Sequence, residues 1–167
     1  MPNSEEETKV DSRAFRNVMG LFATGVTVVA TEVDGEVHGM TANALTSVSL
    51  DPMLILVCVQ KNAQLAGMLR RSGQFSVNIL SEDRADLSSF FAGMWPDDDA
   101  PPFQFKPWGG GLRLVEATGA MACKVDQFLE GGDHWIVTAR VIDLYQQETP
   151  ANPLLYYRGR YRKLLDE

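Results

Sequence analysis

Two short stretches of this 167-residue chain carry the residue types that small-molecule chemistry needs. The first runs Thr41-Ala-Asn-Ala-Leu-Thr-Ser-Val-Ser-Leu-Asp51 and is mostly small and hydroxylated. Small side chains let a backbone approach a flat ligand closely, and successive N–H groups in a loop form an anion-binding concavity. Asn43 and the hydroxyls of Thr41, Thr46, Ser47 and Ser49 add donors that can be turned toward such a ligand. On composition alone, the stretch is equally that of an ordinary polar connection between strands. The second is Gly132-Asp133-His134. A glycine suits a tight turn, and an imidazole follows a carboxylate directly. From spacing alone, His134 reads as a structural histidine with satisfied partners at least as readily as a functional one.

Other chemistries are poorly supported. The sequence has no Gly-x-Gly-x-x-Gly, no Gly-x-x-x-x-Gly-Lys-Ser/Thr and no Gly-x-Ser-x-Gly, so a dinucleotide fold, a P-loop and a nucleophile elbow all lack their signatures. With two His and two Cys, neither a closed zinc site nor a disulfide framework is expected, and no metal site is assigned. Asp97 to Asp99 reads as a solvated loop, not a calcium site. Lys+Arg number 15 against 22 Asp+Glu, a net charge of −7. Such a surface repels phosphate backbones and acidic lipid, which argues against nucleic-acid and membrane partners. The longest apolar run, Met53 to Val59, falls far short of the roughly 20 residues a membrane span needs. Cys58 and Cys123 sit inside apolar runs as buried thiols would, and the N-terminus is acidic where a targeting peptide is basic. A reducing cytoplasm is the expected compartment.

The elements that position these stretches follow from periodicity. Residues 1–10 read as a frayed tail, and 11–167 as one domain. Phe15, Val18, Met19 and Phe22 fall on one face of a helix, with Asp11 or Ser12 at its start and Gly25 at its end. Val26 to Val33 and Glu36 to Met40 form a hairpin about Asp34-Gly35. Met53 to Val59 is a buried strand. Asn62 is expected to cap a short helix through Arg71 whose inner face carries Leu65, Met68 and Leu69. Phe75 to Leu80 alternates as a strand, and Ser81-Glu-Asp opens a helix carrying Leu87, Phe90 and Phe91. Residues 93–111 hold Pro, Gly, two Trp and two Phe, which predicts a lid or a subunit contact, with Gly109 to Gly111 as a flexible joint. A long hairpin turns at Glu130-Gly-Gly-Asp, and Leu154 to Leu164 is a strand kinked at Gly159. Antiparallel strands dominate, so the residues predict a closed or partly closed β-barrel with short helices.

Several ordered segments together resemble one family. Ala23-Thr-Gly-Val-Thr-Val-Val, Gly39-Met-Thr-Ala-Asn-Ala-Leu-Thr-Ser-Val-Ser-Leu-Asp-Pro, Phe75-Ser-Val-Asn-Ile-Leu, Gly132-Asp-His and Pro153-Leu-Leu-Tyr-Tyr-Arg-Gly-Arg-Tyr are similar to the flavin reductase family with the split-barrel FMN-binding fold. They span roughly residues 12–165. The resemblance implies a mainly β, antiparallel, Greek-key-like split barrel with short flanking helices. It implies an NAD(P)H:flavin oxidoreductase that uses NADH or NADPH to reduce FMN or FAD. Reduced flavin would pass to a separate flavin-dependent oxygenase, and the chain would form a homodimer, with the aromatic loop and Tyr-rich C-terminus as interface.

The same resemblance implies site roles. Thr41, Ala42, Asn43 and Ala44, with Ser47, Val48 and Ser49, would line the isoalloxazine and ribityl chain. Cys58, Val59 and Gln60, then Lys61 and Asn62, would lie along the flavin toward its phosphate. Phe91 would sit near the flavin edge. Gly132, Asp133 and His134 would meet the nicotinamide nucleotide, with His134 as the catalytic candidate, and Tyr157 and Arg158 match the terminal motif. Many members carry Ser where this chain has Ala44, which removes one hydroxyl from a backbone-dominated site. Two other readings stand beside the enzyme: a non-catalytic flavin carrier on the same barrel, and a pyridoxamine-phosphate-type oxidase. The second would want a denser phosphate cluster than Lys61 and its neighbours offer.

Overall fold

The computed structural model describes residues 10–164, so most of the expected N-terminal tail lies outside the described residues. Among the described residues, three helices, α1 (Ser12–Met19), α2 (Gln64–Ser72) and α3 (Ala85–Phe91), flank twelve strands. Seven strands form the main sheet: β2 (Thr27–Val33), β3 (Glu36–Ala42), β4 (Leu45–Leu50), β5 (Met53–Gln60), β6 (Gln74–Ile79), β9 (Gly119–Gly131) and β10 (His134–Gln146). Their order is β3-β2-β6-β9-β10-β5-β4, and every pairing is antiparallel. The remaining strands are β1 (Thr24–Gly25), β7 (Phe105–Trp108), β8 (Gly111–Leu114), β11 (Leu155–Tyr157) and β12 (Arg160–Arg162). Among the described residues, no helix is long and apolar enough to cross a membrane.

The connectivity forces the sheet to curl. Its two edge strands, β3 and β4, are consecutive and joined only through Asn43 and Ala44. Laid flat, seven strands would put those edges about 29 Å apart. Three residue steps reach at most about 11 Å. The sheet therefore wraps into a barrel split between β3 and β4, in agreement with the expected fold class.

Alternation along the strands divides the packing in two. Inward residues such as Val29, Val57, Val59, Val77 and Val137 fill the barrel, and α2 covers it with Leu65, Ala66 and Leu69. Val28, Leu87, Leu114, Ala117 and Leu154 form a second core outside the sheet.

Several local expectations need correction. Asn62 does not cap α2; Ala63 holds that position without a side-chain bond, and Gly73 ends the helix at φ 65°. Helix α3 begins at Ala85 because Ser81 pairs with Pro153, and the Glu82 N–H is taken by the Asn152 carbonyl. Part of the segment 93–111 is anchored to the domain by aromatic packing and a hairpin. Phe103 and Phe105 stack on Phe91 in the second core, and β7–β8 is a hairpin. Gly109 and Gly110 form its turn at φ 61° and 81°. A Cβ at Gly109 would lie 2.4 Å from the Ala122 Cβ, so glycine serves close packing here, not flexibility. The C-terminal segment is likewise a hairpin, β11–β12, turning at Arg158 (φ 50°) and Gly159 (φ 73°).

Candidate active site

Helix α1 starts as expected, with the Asp11 carboxylate accepting from the Ala14 N–H (3.1 Å), but it ends at Gly20 rather than Gly25. Its apolar face does not enter a core: Phe15, Val18, Met19, Leu21 and Phe22 are all exposed. The Arg158 N–H donates to the Gly20 carbonyl (2.9 Å), and β1 pairs with β11 through Thr24 and Tyr156. The segment from Phe15 to Gly25 is thereby held as a wall beside the split of the barrel.

Between this wall and the sheet lies an open cleft of about 1700 Å³. Its floor comes from strand alternation. On β5, Ile55, Val57 and Val59 point into the barrel, which leaves Leu56 and Cys58 on the outside. Thr46 pairs with Leu56, and Ile136 with Cys58, so these residues share that outer face. His134 stands opposite Gln60 at the start of β10. Asn43, Ala44, Thr46, Cys58, His134 and Arg158 all line the cleft.

Backbone groups add directionality. The Cys58 N–H donates to the Ala44 carbonyl (3.1 Å). By antiparallel alternation, the amides of Leu45 and Ser47 then point away from β5, to the free edge of β4. The Asn43 amide donates to the Thr24 hydroxyl (3.2 Å), tying the β3–β4 link to the opposite wall. A register shift between Ser47 and Ser49 leaves Val48 as an exposed bulge residue.

At the hairpin tip, Gly132 takes φ 68°, and the Asp133 carboxylate lies 2.7 Å from Nδ1 of His134. A carboxylate can only accept, so Nδ1 carries the proton and Nε2 is the nitrogen left to meet a ligand. The bond from His134 holds the Asp133 carboxyl below its ordinary range. Desolvation pushes the Cys58 thiol up, and deeper burial pushes Cys123 to about 12.

Other expected site residues stand outside the cleft lining. The Thr41 hydroxyl donates to the Ser88 carbonyl (2.7 Å) on α3, and the Ala42 carbonyl accepts from Thr27 Oγ1 (2.6 Å). Phe91 packs against Gly39 and the Phe90–Phe103–Phe105 cluster. Val59 belongs to the barrel core. Gln60 and Asn62 are exposed at the end of β5, and Tyr157 is half-buried opposite Arg160. Lys61 is drawn off to the Glu130 carboxylate (3.5 Å) and over the Trp135 ring (4.8 Å). Sequence reading missed Arg16, Phe22, Thr24 and Leu56, which line the cleft. Alternation outward from Cys58 marks Leu56, but nothing local marks the wall.

The arrangement combines an apolar floor, small residues at Gly25 and Ala44, edge amides and a paired histidine. Residues 19–165 match the family described as flavin reductase like domain. The chain belongs to the flavin reductase family. Relatives in that family include the reductase component of a 4-nitrophenol 4-monooxygenase/4-nitrocatechol 2-monooxygenase from Rhodococcus opacus. It is 40% identical over 91% of this chain and 80% of its own length. An NADH-dependent flavin reductase from Pseudomonas fluorescens is 38% identical over 91% of this chain and 89% of its own. The solved flavin reductase PheA2 superposes with a TM-score of 0.88 at 41% identity, covering 94% of this chain and all of its own. An NADH:FAD oxidoreductase from Streptomyces globisporus, solved with NAD and FAD fragments, gives 0.83 at 33% identity, with 93% of both chains covered. These neighbours share the split barrel described above.

Proposed function

We propose that the chain is an NADH-dependent flavin reductase that reduces FMN or FAD and supplies the reduced flavin to a flavin-dependent monooxygenase. The observation that carries this reading is the cleft at the split of the barrel. Its volume of about 1700 Å³, open along one side, leaves room for a flavin and a nicotinamide ring together. The relatives named NADH-dependent favour NADH as the donor, and the reductase component from Rhodococcus opacus favours the two-component arrangement.

When bound, flavin and nicotinamide supply the redox chemistry themselves, a hydride passing between the two rings. The chain's own residues bind and orient. Edge amides at Leu45 and Ser47 are the donors proposed for the flavin ring, with Cys58 and Ala44 as its floor. Asp133 fixes the tautomer of His134, and Nε2 of His134 is the atom proposed to position the nicotinamide. Thr41 and Phe91 act behind the site, holding β3 against α3. Among the sequence candidates, Ser47, Val48, Ser49, Gln60, Asn62, Gly132 and Tyr157 form the proposed rim.

A homodimer belongs to the same proposal. Phe15, Val18, Met19, Leu21 and Phe22 form an exposed apolar surface along the cleft wall, larger in character than the scattered apolar residues of a monomer. The aromatic loop is a weaker interface candidate, because its Phe residues serve the chain's own core. Two free cysteines suit a reducing cytoplasm. The function is tested by steady-state oxidation of NADH with and without added FMN or FAD. Turnover should depend on flavin. Flavin binding with no turnover would instead describe a carrier.

A further inference from the structure

On its β9 side, the hairpin that carries His134 outruns the sheet. β6 pairs with β9 only from Gly119 to Lys124, so the stretch from Val125 to Gly131 has β10 as its one strand neighbour. Helix α2 supports this arm instead. The Val125 N–H donates to the carbonyl of Gly73, the residue that ends the helix (2.9 Å). The helix is itself bolted to the β2–β3 hairpin: Arg71 pairs with Asp34 (2.6 Å), and the Gln64 amide donates to Glu36 (3.1 Å).

Two aromatic side chains of the arm meet α2. Phe128 and Trp135 pack against the barrel core, with ring centroids 6.3 Å apart and planes nearly perpendicular. The guanidinium carbon of Arg70, in the last turn of α2, lies 4.1 Å from the Phe128 centroid and 4.4 Å from that of Trp135. Among the described residues Arg70 belongs to no ion pair; the two rings are its partners. A guanidinium over ring faces is attracted by their quadrupoles and stacks on them as a plane. Lys61 adds a second cation, 4.8 Å from the Trp135 centroid, and its N–H donates to the Asp133 carbonyl (3.0 Å).

Successive strand residues point to opposite faces. Trp135 packs into the barrel, whereas His134, one residue earlier, lines the cleft. Fixing the indole therefore fixes the backbone from which the imidazole projects. The Asp133 carboxylate cannot do this, because it orients the His134 ring while riding on the same tip.

We propose that Arg70 is a positioning residue: its stack on Phe128 and Trp135 holds the β9–β10 tip so that His134 meets the nicotinamide. The proposal rests on the flavin reductase reading and deepens it. Arg70 stands outside the cleft lining, so it acts through His134 alone.

A double-mutant cycle on NADH kinetics tests this coupling. Arg70 is exposed, so Arg70→Leu removes the cation without opening a cavity. It should raise KM for NADH about fivefold, while the FMN Kd moves less than about twofold. Arg70→Lys keeps a cation over the rings and should recover part of the loss. In a His134→Ala background, Arg70→Leu should add no further rise, because the group it positions is gone. Additive rises in the double variant would overturn the proposal, as would an unchanged KM in Arg70→Leu. Equal losses of FMN and NADH binding would also overturn it, since they mark general damage to the barrel. Failure of the unmutated protein to oxidise NADH with added flavin would instead contradict the flavin reductase reading itself.

Discussion

His134 and Asp133 are adjacent in sequence, which is why a tripeptide motif was enough to find them. Their 2.7 Å contact fixes which imidazole nitrogen is free. His134→Ala should raise KM for NADH about tenfold while moving the FMN Kd less than about twofold; an unchanged KM would remove His134 from the site. The Asp133 carboxyl is held below its ordinary value of 3.8. A lowered folded pKa means the interaction is complete above that ordinary value and lost only as pH falls through the lowered one. The KM for NADH should therefore show no acid limb from Asp133 near neutrality, and a pH profile compared with Asp133→Asn checks this. The two thiols give a second residue-scale expectation. Both are raised by burial, with Cys123 at about 12, so both are protonated at neutral pH and react faster as pH rises. Iodoacetamide should label Cys58 slowly, Cys123 more slowly still, and FMN should protect Cys58, as mass spectrometry can read.

At the scale of elements, what the sequence revealed was local and what it hid was tertiary. The Asp34-Gly35 hairpin, the inward face of β5 and the apolar stripe of α2 were legible, because turn chemistry and periodicity write them directly into neighbouring residues. Asn43, Ala44 and Thr46, from the polar stretch Thr41 to Ser49, line the cleft, but the stretch was not legible as strand. Its hydroxyl-rich composition conceals two edge strands meeting at Asn43-Ala44. The aromatic loop misled for the opposite reason: Phe103 and Phe105 look like interface material until α3 is placed over β3. Gly39 records that placement. A Cβ there would stand 2.7 Å from the Phe91 ring, which is backed by Phe90, Phe103 and Phe105. Gly39→Val should cost about 1–3 kcal/mol through overpacking, measured by denaturant unfolding, and adding Phe91→Leu should restore part of the loss.

For the whole molecule, the net charge of −7 contrasts with a cleft whose lining includes Arg16 and Arg158, since an acidic protein that binds phosphates must concentrate its cations locally. The apolar wall of α1 asks for a cover in the same way. Phe22 is 71% exposed and Phe15 is 59% exposed, and a second copy of the chain is the cover proposed. Sedimentation should show a dimer that Phe22→Asp dissociates, with flavin affinity falling in step; a fully active monomer would contradict the dimer. The claim on which everything else depends is that this cleft joins a nicotinamide to a flavin productively. Anaerobic stopped-flow mixing of the protein and FMN with NADH tests it most directly. The account predicts rapid bleaching of the flavin's visible absorbance, saturable in NADH and slowed by His134→Ala. Flavin that binds but keeps its absorbance after NADH is added would contradict it.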